Sequence, residues 1–209
     1  MQRSEILDFL EKINSHLCTE FPVFVSEGRR VALKIFGKSA LMLAGLQDSV
    51  GTVDIDILKV EGQMRQEADL LAIESLKTEF GKSRIYVHGY YLEFVPEAIV
   101  FLPQRPAWIP LEKSYSCLTV EYLDPVHVAA TKLFSTFSDT PRMRDRQDIR
   151  AALDQGLISI EGLAKAADQV FDFHSMDARN DRFPKVHSYL TGELMADYGE
   201  VDLVYDPEG

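Results

Sequence analysis

Gly51-Thr-Val-Asp-Ile-Asp-Ile-Leu-Lys59 alternates polar and apolar side chains from Thr52 to Ile57, the period of a half-buried strand. Successive side chains of a strand point to opposite faces. Asp54 and Asp56 therefore share one face, about 7 Å apart along the backbone, while Val53, Ile55 and Ile57 line the other. Two carboxylates held in this way call for a counter-ion. A hard divalent cation, Mg²⁺ or Mn²⁺, meets that need, since it takes carboxylate and phosphate oxygens together. Taken alone, an Asp-x-Asp pair has a second and commoner fate, the solvated face of an edge strand.

Upstream, Val31-Ala-Leu-Lys-Ile-Phe36 is a short apolar run rich in strand formers that ends at Gly37, and Lys38 to Leu46 reads as a buried helix. Strand, glycine turn and helix N-terminus make an anion cradle: the first backbone N–H groups of a helix are free, and glycine lets a phosphate approach the main chain. Between Ser39 and Asp54 lie fourteen residues, room for one helix and a return turn. Gly37-Lys38-Ser39 also matches the end of a phosphate-binding P-loop, but that motif needs a glycine where this chain has Ala32.

With these residues the chain resembles the nucleotidyltransferase-fold superfamily, in particular the minimal nucleotidyltransferases and the AbiEii-like toxins of abortive-infection and toxin–antitoxin systems. Their pattern is a hydrophobic residue, Gly, then Gly or Ser, a helix, and Asp-h-Asp or Asp-h-Glu followed by a hydrophobic residue. It is matched here by Phe36-Gly37, by Ser39 one position late, and by Asp54-Ile55-Asp56-Ile57. Lys38 departs from it, a long cation standing for a small residue. The resemblance implies a third carboxylate on a later strand. Arg84 to His88 and Tyr90 to Val95 around Gly89 read as a hairpin that follows an amphipathic helix from Met64 to Phe80. Glu93, sharing a face with Tyr91 and Val95, is the candidate metal ligand or base; a solvent-facing mid-strand Glu is the alternative.

A second block, Val120 to Pro125, His127 to Ser138 and Arg142 to Arg150, resembles the segment that follows the catalytic domain in AbiEii-like proteins. Pro125 suits the first turn of a helix and Asp124 its cap, which puts Lys132 two turns in, with Val128, Leu133 and Phe137 toward a core. A further helix begins near Arg144 and carries Asp145 and Asp148 one turn apart. The resemblance gives Lys132, Asp145 and Asp148 functional roles, Lys132 neutralising charge on a leaving pyrophosphate. The residues by themselves also allow ordinary helix-surface ion pairs.

With 209 residues, 46% of them hydrophobic, the chain can bury a substantial core. No disulfide scaffold is needed: Cys18 and Cys117 sit in apolar surroundings without a His/Cys ligand pattern, which fits a reduced cytoplasmic protein better than a zinc or redox site. The first helix, Ser4 to Leu17, carries Glu5, Asp8 and Glu11 and does not read as a signal peptide, and no run approaches membrane-spanning length. The net charge of −11 argues against a broad grip on nucleic acid. Arg142, Arg144, Arg146 and Arg150 form one short cationic cluster, either a clamp for a triphosphate or tRNA end or a solvated helix face.

The expected architecture is α/β: a nucleotidyltransferase-like N-terminal lobe with a small mixed sheet over residues 1–118, and a helical lobe over 119–209. In the expected reaction, Asp54, Asp56 and Glu93 hold Mg²⁺ or Mn²⁺. Gly37, Lys38 and Ser39, with Asp145 and Asp148, hold the nucleotide, and Lys132 assists transfer of an NMP from an NTP. The acceptor is RNA, protein, a small molecule or a nucleotide, and an antitoxin is the expected partner if the protein is a toxin. The alternative is a catalytically silent binding or regulatory module on the same fold.

Overall fold

The computed structural model describes residues 1–47, 51, 55–58, 85–88, 108–137, 143–174 and 183–204. The described residues form two compact units, 1–88 with 108–123 and 124–204. The first is a mixed α/β unit. Its strands are β1 (Val31–Phe36), β2 (Ile55–Leu58), β3 (Ile85–His88), β4 (Trp108–Pro110) and β5 (Leu118–Leu123), in the order β3-β2-β1-β5-β4. The sheet is mixed: β1 runs antiparallel to β2 and parallel to β5, β3 is parallel to β2, and β4 is antiparallel to β5. Because β5 pairs with β1, the first unit runs on through Leu123, five residues past the expected boundary.

The helices of this unit are α1 (Arg3–Glu20), α2 (Pro22–Ser26) and α3 (Gly37–Ala44). Val31, Leu33 and Ile35 alternate with the more open Ala32, Lys34 and Phe36, and Leu118 and Val120 continue the buried face on β5. Against the sheet packs α3, with Leu41, Met42 and Leu43 buried, and α1 packs on α3. Ile6, Leu10, Ile13 and Leu17 form the buried stripe of α1, spaced by four, three and four residues as a helix face requires. Asn14 lies within that stripe. Its Oδ1 accepts from the Cys117 backbone N–H at 2.9 Å, so a buried amide is matched to an otherwise unpaired main-chain donor.

Cys18 and Cys117 are joined in a disulfide with a Cα–Cα distance of 5.8 Å. This corrects the expectation of two reduced thiols and removes the support that they gave to a reducing compartment. The sequence argument failed because the pairing depends on α1 crossing beside the start of β5, a contact between residues 99 positions apart.

The described part of the second unit is helical: α4 (Pro125–Ser135), α5 (Met143–Asp154), α6 (Ile160–His174), α7 (Phe183–Tyr189), a π-helical turn (Leu190–Leu194) and α8 (Met195–Tyr198). The central helix is α4. Its Val128, Ala129 and Leu133 are buried as it packs against α5, α6 and α7. Ser159 caps α6 as expected, its Oγ accepting from the Gly162 N–H at 3.0 Å. Among the described residues no helix is long and apolar enough to cross a membrane.

At the head of α4, Asp124 accepts from the Val126 N–H at 3.0 Å and lies 3.1 Å from His127 Nδ1, with Pro125 in the first turn. Burial pushes the Asp124 carboxyl up, but the bonds to His127 and Val126 outweigh it and leave the group below the usual carboxylate range. A depressed carboxyl stabilises the fold above its unfolded-state value, and the contribution is lost as pH falls through the folded value. Asp124→Ala should therefore cost about 1 kcal/mol at pH 7. The difference from wild type in urea unfolding should shrink below about pH 4; a cost independent of pH would show that the carboxylate charge plays no part.

Candidate functional site

The turn from β1 into α3 is built on Gly37, whose φ of +66° lies in the left-handed region that disfavours a side chain. A Cβ at this position would stand 2.6 Å from Asp56 Oδ2. The absent side chain thus lets the Asp56 carboxylate close on the first residue of α3. Register explains the meeting: Phe36, the last residue of β1, pairs with Asp56 on β2. Phe36 makes no side-chain cap bond, and the first turn of α3 holds no acidic residue, so Asp56 brings negative charge from a neighbouring strand to a helix N-terminus. Ser39 is fully buried within α3, and Lys38 is half-buried beside it.

Asp56 and Gly37 are thereby brought together, and Lys38 and Ser39 follow Gly37 in the first turn of α3. Asp54 and Glu93 lie outside the described residues, as do the helix expected from Met64 to Phe80 and the second arm of the hairpin from Tyr90 to Val95. Among the described residues no group of three or more His, Cys, Asp or Glu side chains is placed to hold a metal ion. Gly37→Ala meets both the positive φ and the Asp56 carboxylate. It should destabilise the fold by about 1–3 kcal/mol in urea unfolding; a change below about 0.5 kcal/mol, the usual size for a neutral surface substitution, would show that the turn tolerates a side chain.

Lys132, Asp145 and Asp148 also meet. The Lys132 ammonium lies 2.6 Å from Asp145 Oδ1 and 2.8 Å from Asp148 Oδ2, and Ser135 Oγ donates to Asp145 Oδ2 at 2.8 Å. The ion-pair alternative for this block is met in its pairing of Lys132 with Asp148, joined by Asp145, but the pairs are buried and not on a helix surface, the two aspartates being only 7% and 5% exposed. One turn of α5 presents both carboxylates to a single ammonium from α4. Ser135, three residues after Lys132 and hence on the same face of α4, was not singled out in the sequence, although that spacing points to it.

The cationic cluster is corrected in part. The Arg146 guanidinium lies 5.0 Å from the Phe137 ring centroid and 4.5 Å from that of Tyr189, and Arg150 pairs with Asp197 at 2.6 Å. Glu193 approaches both arginines, at 3.8 and 3.6 Å. These two cations therefore belong to the packing of α5 against the C-terminal helices, with neither presented to solvent as a bare phosphate clamp. Arg142 lies outside the described residues. No family model, curated protein or solved structure matches the chain significantly.

Proposed function

We propose that this protein is a metal-dependent nucleotidyltransferase that moves an NMP from an NTP to an acceptor hydroxyl, as a toxin of the toxin–antitoxin type would. The observation that carries the reading is the Asp56 carboxylate set against Gly37 at the start of α3. A hard oxygen donor there, beside backbone N–H groups that attract phosphate, would suit a hard divalent cation such as Mg²⁺. When bound, the metal neutralises charge on the phosphoryl oxygens and favours attack at the α-phosphorus. Asp56, with Asp54, would hold the cation. The first N–H groups of α3 and the Lys38 ammonium take the β- and γ-phosphates, and Glu93 accepts the acceptor's proton as the new P–O bond forms and pyrophosphate leaves.

A second reading, a silent binding or regulatory module, draws on the same contact. Asp56 already supplies the negative charge that the α3 terminus attracts, so the pair has a structural use without turnover. Incubation with each NTP labelled at the α-phosphate, with Mg²⁺ or Mn²⁺ and cell RNA and protein as acceptors, separates the two. Label should move to an acceptor under the first reading and stay on the nucleotide under the second.

A further inference from the structure

The two halves of the Cys18–Cys117 bridge are unequal. Cys117 is fully buried and held by its main chain: its N–H donates to Asn14 Oδ1 and its carbonyl accepts from the Val31 N–H, each at 2.9 Å. Cys18 is half-buried near the C-terminal end of α1 and is the half of the bridge that reaches solvent. Ser116 Oγ lies 3.3 Å from Cys18 Sγ and Asn14 Oδ1 lies 3.8 Å from it, so a thiol at Cys18 has acceptors within reach. A thiol at Cys117 packs as a small apolar side chain. None of the main-chain bonds around Cys117 involves the sulfur. The fold therefore accommodates the pair open as well as closed.

We propose that Cys18 is a site of reversible S-thiolation by a small thiol of the glutathione class, with Cys117 as the buried thiol that removes the adduct. This site is independent of the nucleotidyltransferase chemistry. Thiol–disulfide exchange needs an attacking thiolate to reach one sulfur while the other leaves. Only Cys18 can be reached, since Cys117 has no exposed surface. In opening, the glutathione thiolate bonds to Cys18 Sγ, the Cys18–Cys117 bond breaks, and Cys117 leaves as a thiolate that takes a proton. In closing, the Cys117 thiolate attacks Cys18 Sγ, restores the bridge and releases the glutathione thiolate. From two free thiols, oxidised glutathione supplies the oxidising equivalents: its first half stays on Cys18 while the second departs as free thiol, and closure releases the first. The last turn of α1 holds no basic residue to favour a thiolate, so the preference for Cys18 is one of access.

Cys117→Ala, which cannot close the bridge, and Cys18→Ser are each mixed with oxidised glutathione, and the adduct is followed by mass spectrometry of the intact chain. We expect Cys117→Ala to take up one glutathione, and Cys18→Ser to do so about a hundredfold more slowly, at the pace of local opening, with the two rates becoming equal in urea. Reduced wild type, which carries no substitution, gives a second readout. A brief pulse of iodoacetamide followed by peptide mapping should label Cys18 ahead of Cys117 by a similar factor, and this pulse decides where a variant has lost its fold in urea unfolding curves. Equal labelling of the two cysteines in wild type, or faster labelling of Cys117, would overturn the site. So would a folded Cys117→Ala that takes up glutathione only in urea.

Discussion

Lys132→Met should lower the stability of the fold by about 3–5 kcal/mol, because it leaves two buried carboxylates without their shared ammonium. The methionine fills most of the same volume, so the loss is electrostatic. Asp145 and Asp148 are held 2.6 and 2.8 Å from Lys132 Nζ, and with the cation gone their like charges face each other with little water between them. A loss of that size is a large share of the roughly 5–15 kcal/mol that keeps a domain folded. Adding Asp145→Asn and Asp148→Asn to Lys132→Met should recover part of it, since the amides need no counter-charge. Urea unfolding of wild type, the single variant and the triple variant measures both effects. A cost below about 1 kcal/mol for Lys132→Met would place the three groups in water, where such pairs contribute little.

Reduction of the Cys18–Cys117 disulfide should cost about 3–4 kcal/mol. The bridge closes a loop between residues 99 positions apart, and a cross-link of that span removes much of the unfolded chain's freedom. Native packing should survive reduction, because the α1 stripe of Ile6, Leu10, Ile13 and Leu17 and the Asn14 bond to Cys117 do not depend on the sulfur bridge. Cys18→Ser, at the less buried of the two positions, should match reduced wild type in urea unfolding and be insensitive to reductant. Equal unfolding curves for wild type with and without reductant, together with two titratable thiols in the denatured protein, would contradict the pairing.

Much of the local structure was legible in the sequence because its causes are local. The apolar run Val31–Phe36, the glycine that ends it, the cap Asp124 ahead of Pro125, and Ser159 ahead of α6 all name their elements within a few residues. The Gly37–Asp56 contact followed from the same logic, since one helix and a return turn bring the next strand back beside the first. What escaped was set by distant partners. Leu118–Leu123 has the alternation of a strand, but its place beside β1 rests on a pairing across more than eighty residues of chain, and it was read only as the approach to Pro125. Trp108–Pro110 is three residues long, too short for a periodic signal. The partners of Lys132, Arg146 and Cys18 were likewise undetermined. An ammonium on one helix can be matched by any of several carboxylates, and only packing selects Asp145 and Asp148.

The proposed chemistry turns on Asp56, and its neutralisation is the most direct test. Asp56→Asn preserves shape and changes one charge. Its folding stability should stay within about 1 kcal/mol of wild type, since the amide keeps the shape of the side chain and weakens the attraction to the α3 terminus. With α-labelled NTP, Mg²⁺ and cell RNA and protein as acceptors, wild type should transfer label, and Asp56→Asn, equally folded, should transfer it more than about a hundredfold more slowly, beyond what residues that merely orient a metal ligand contribute. Transfer by Asp56→Asn at the wild-type rate, or no transfer by wild type from any of the four nucleotides, would contradict the account.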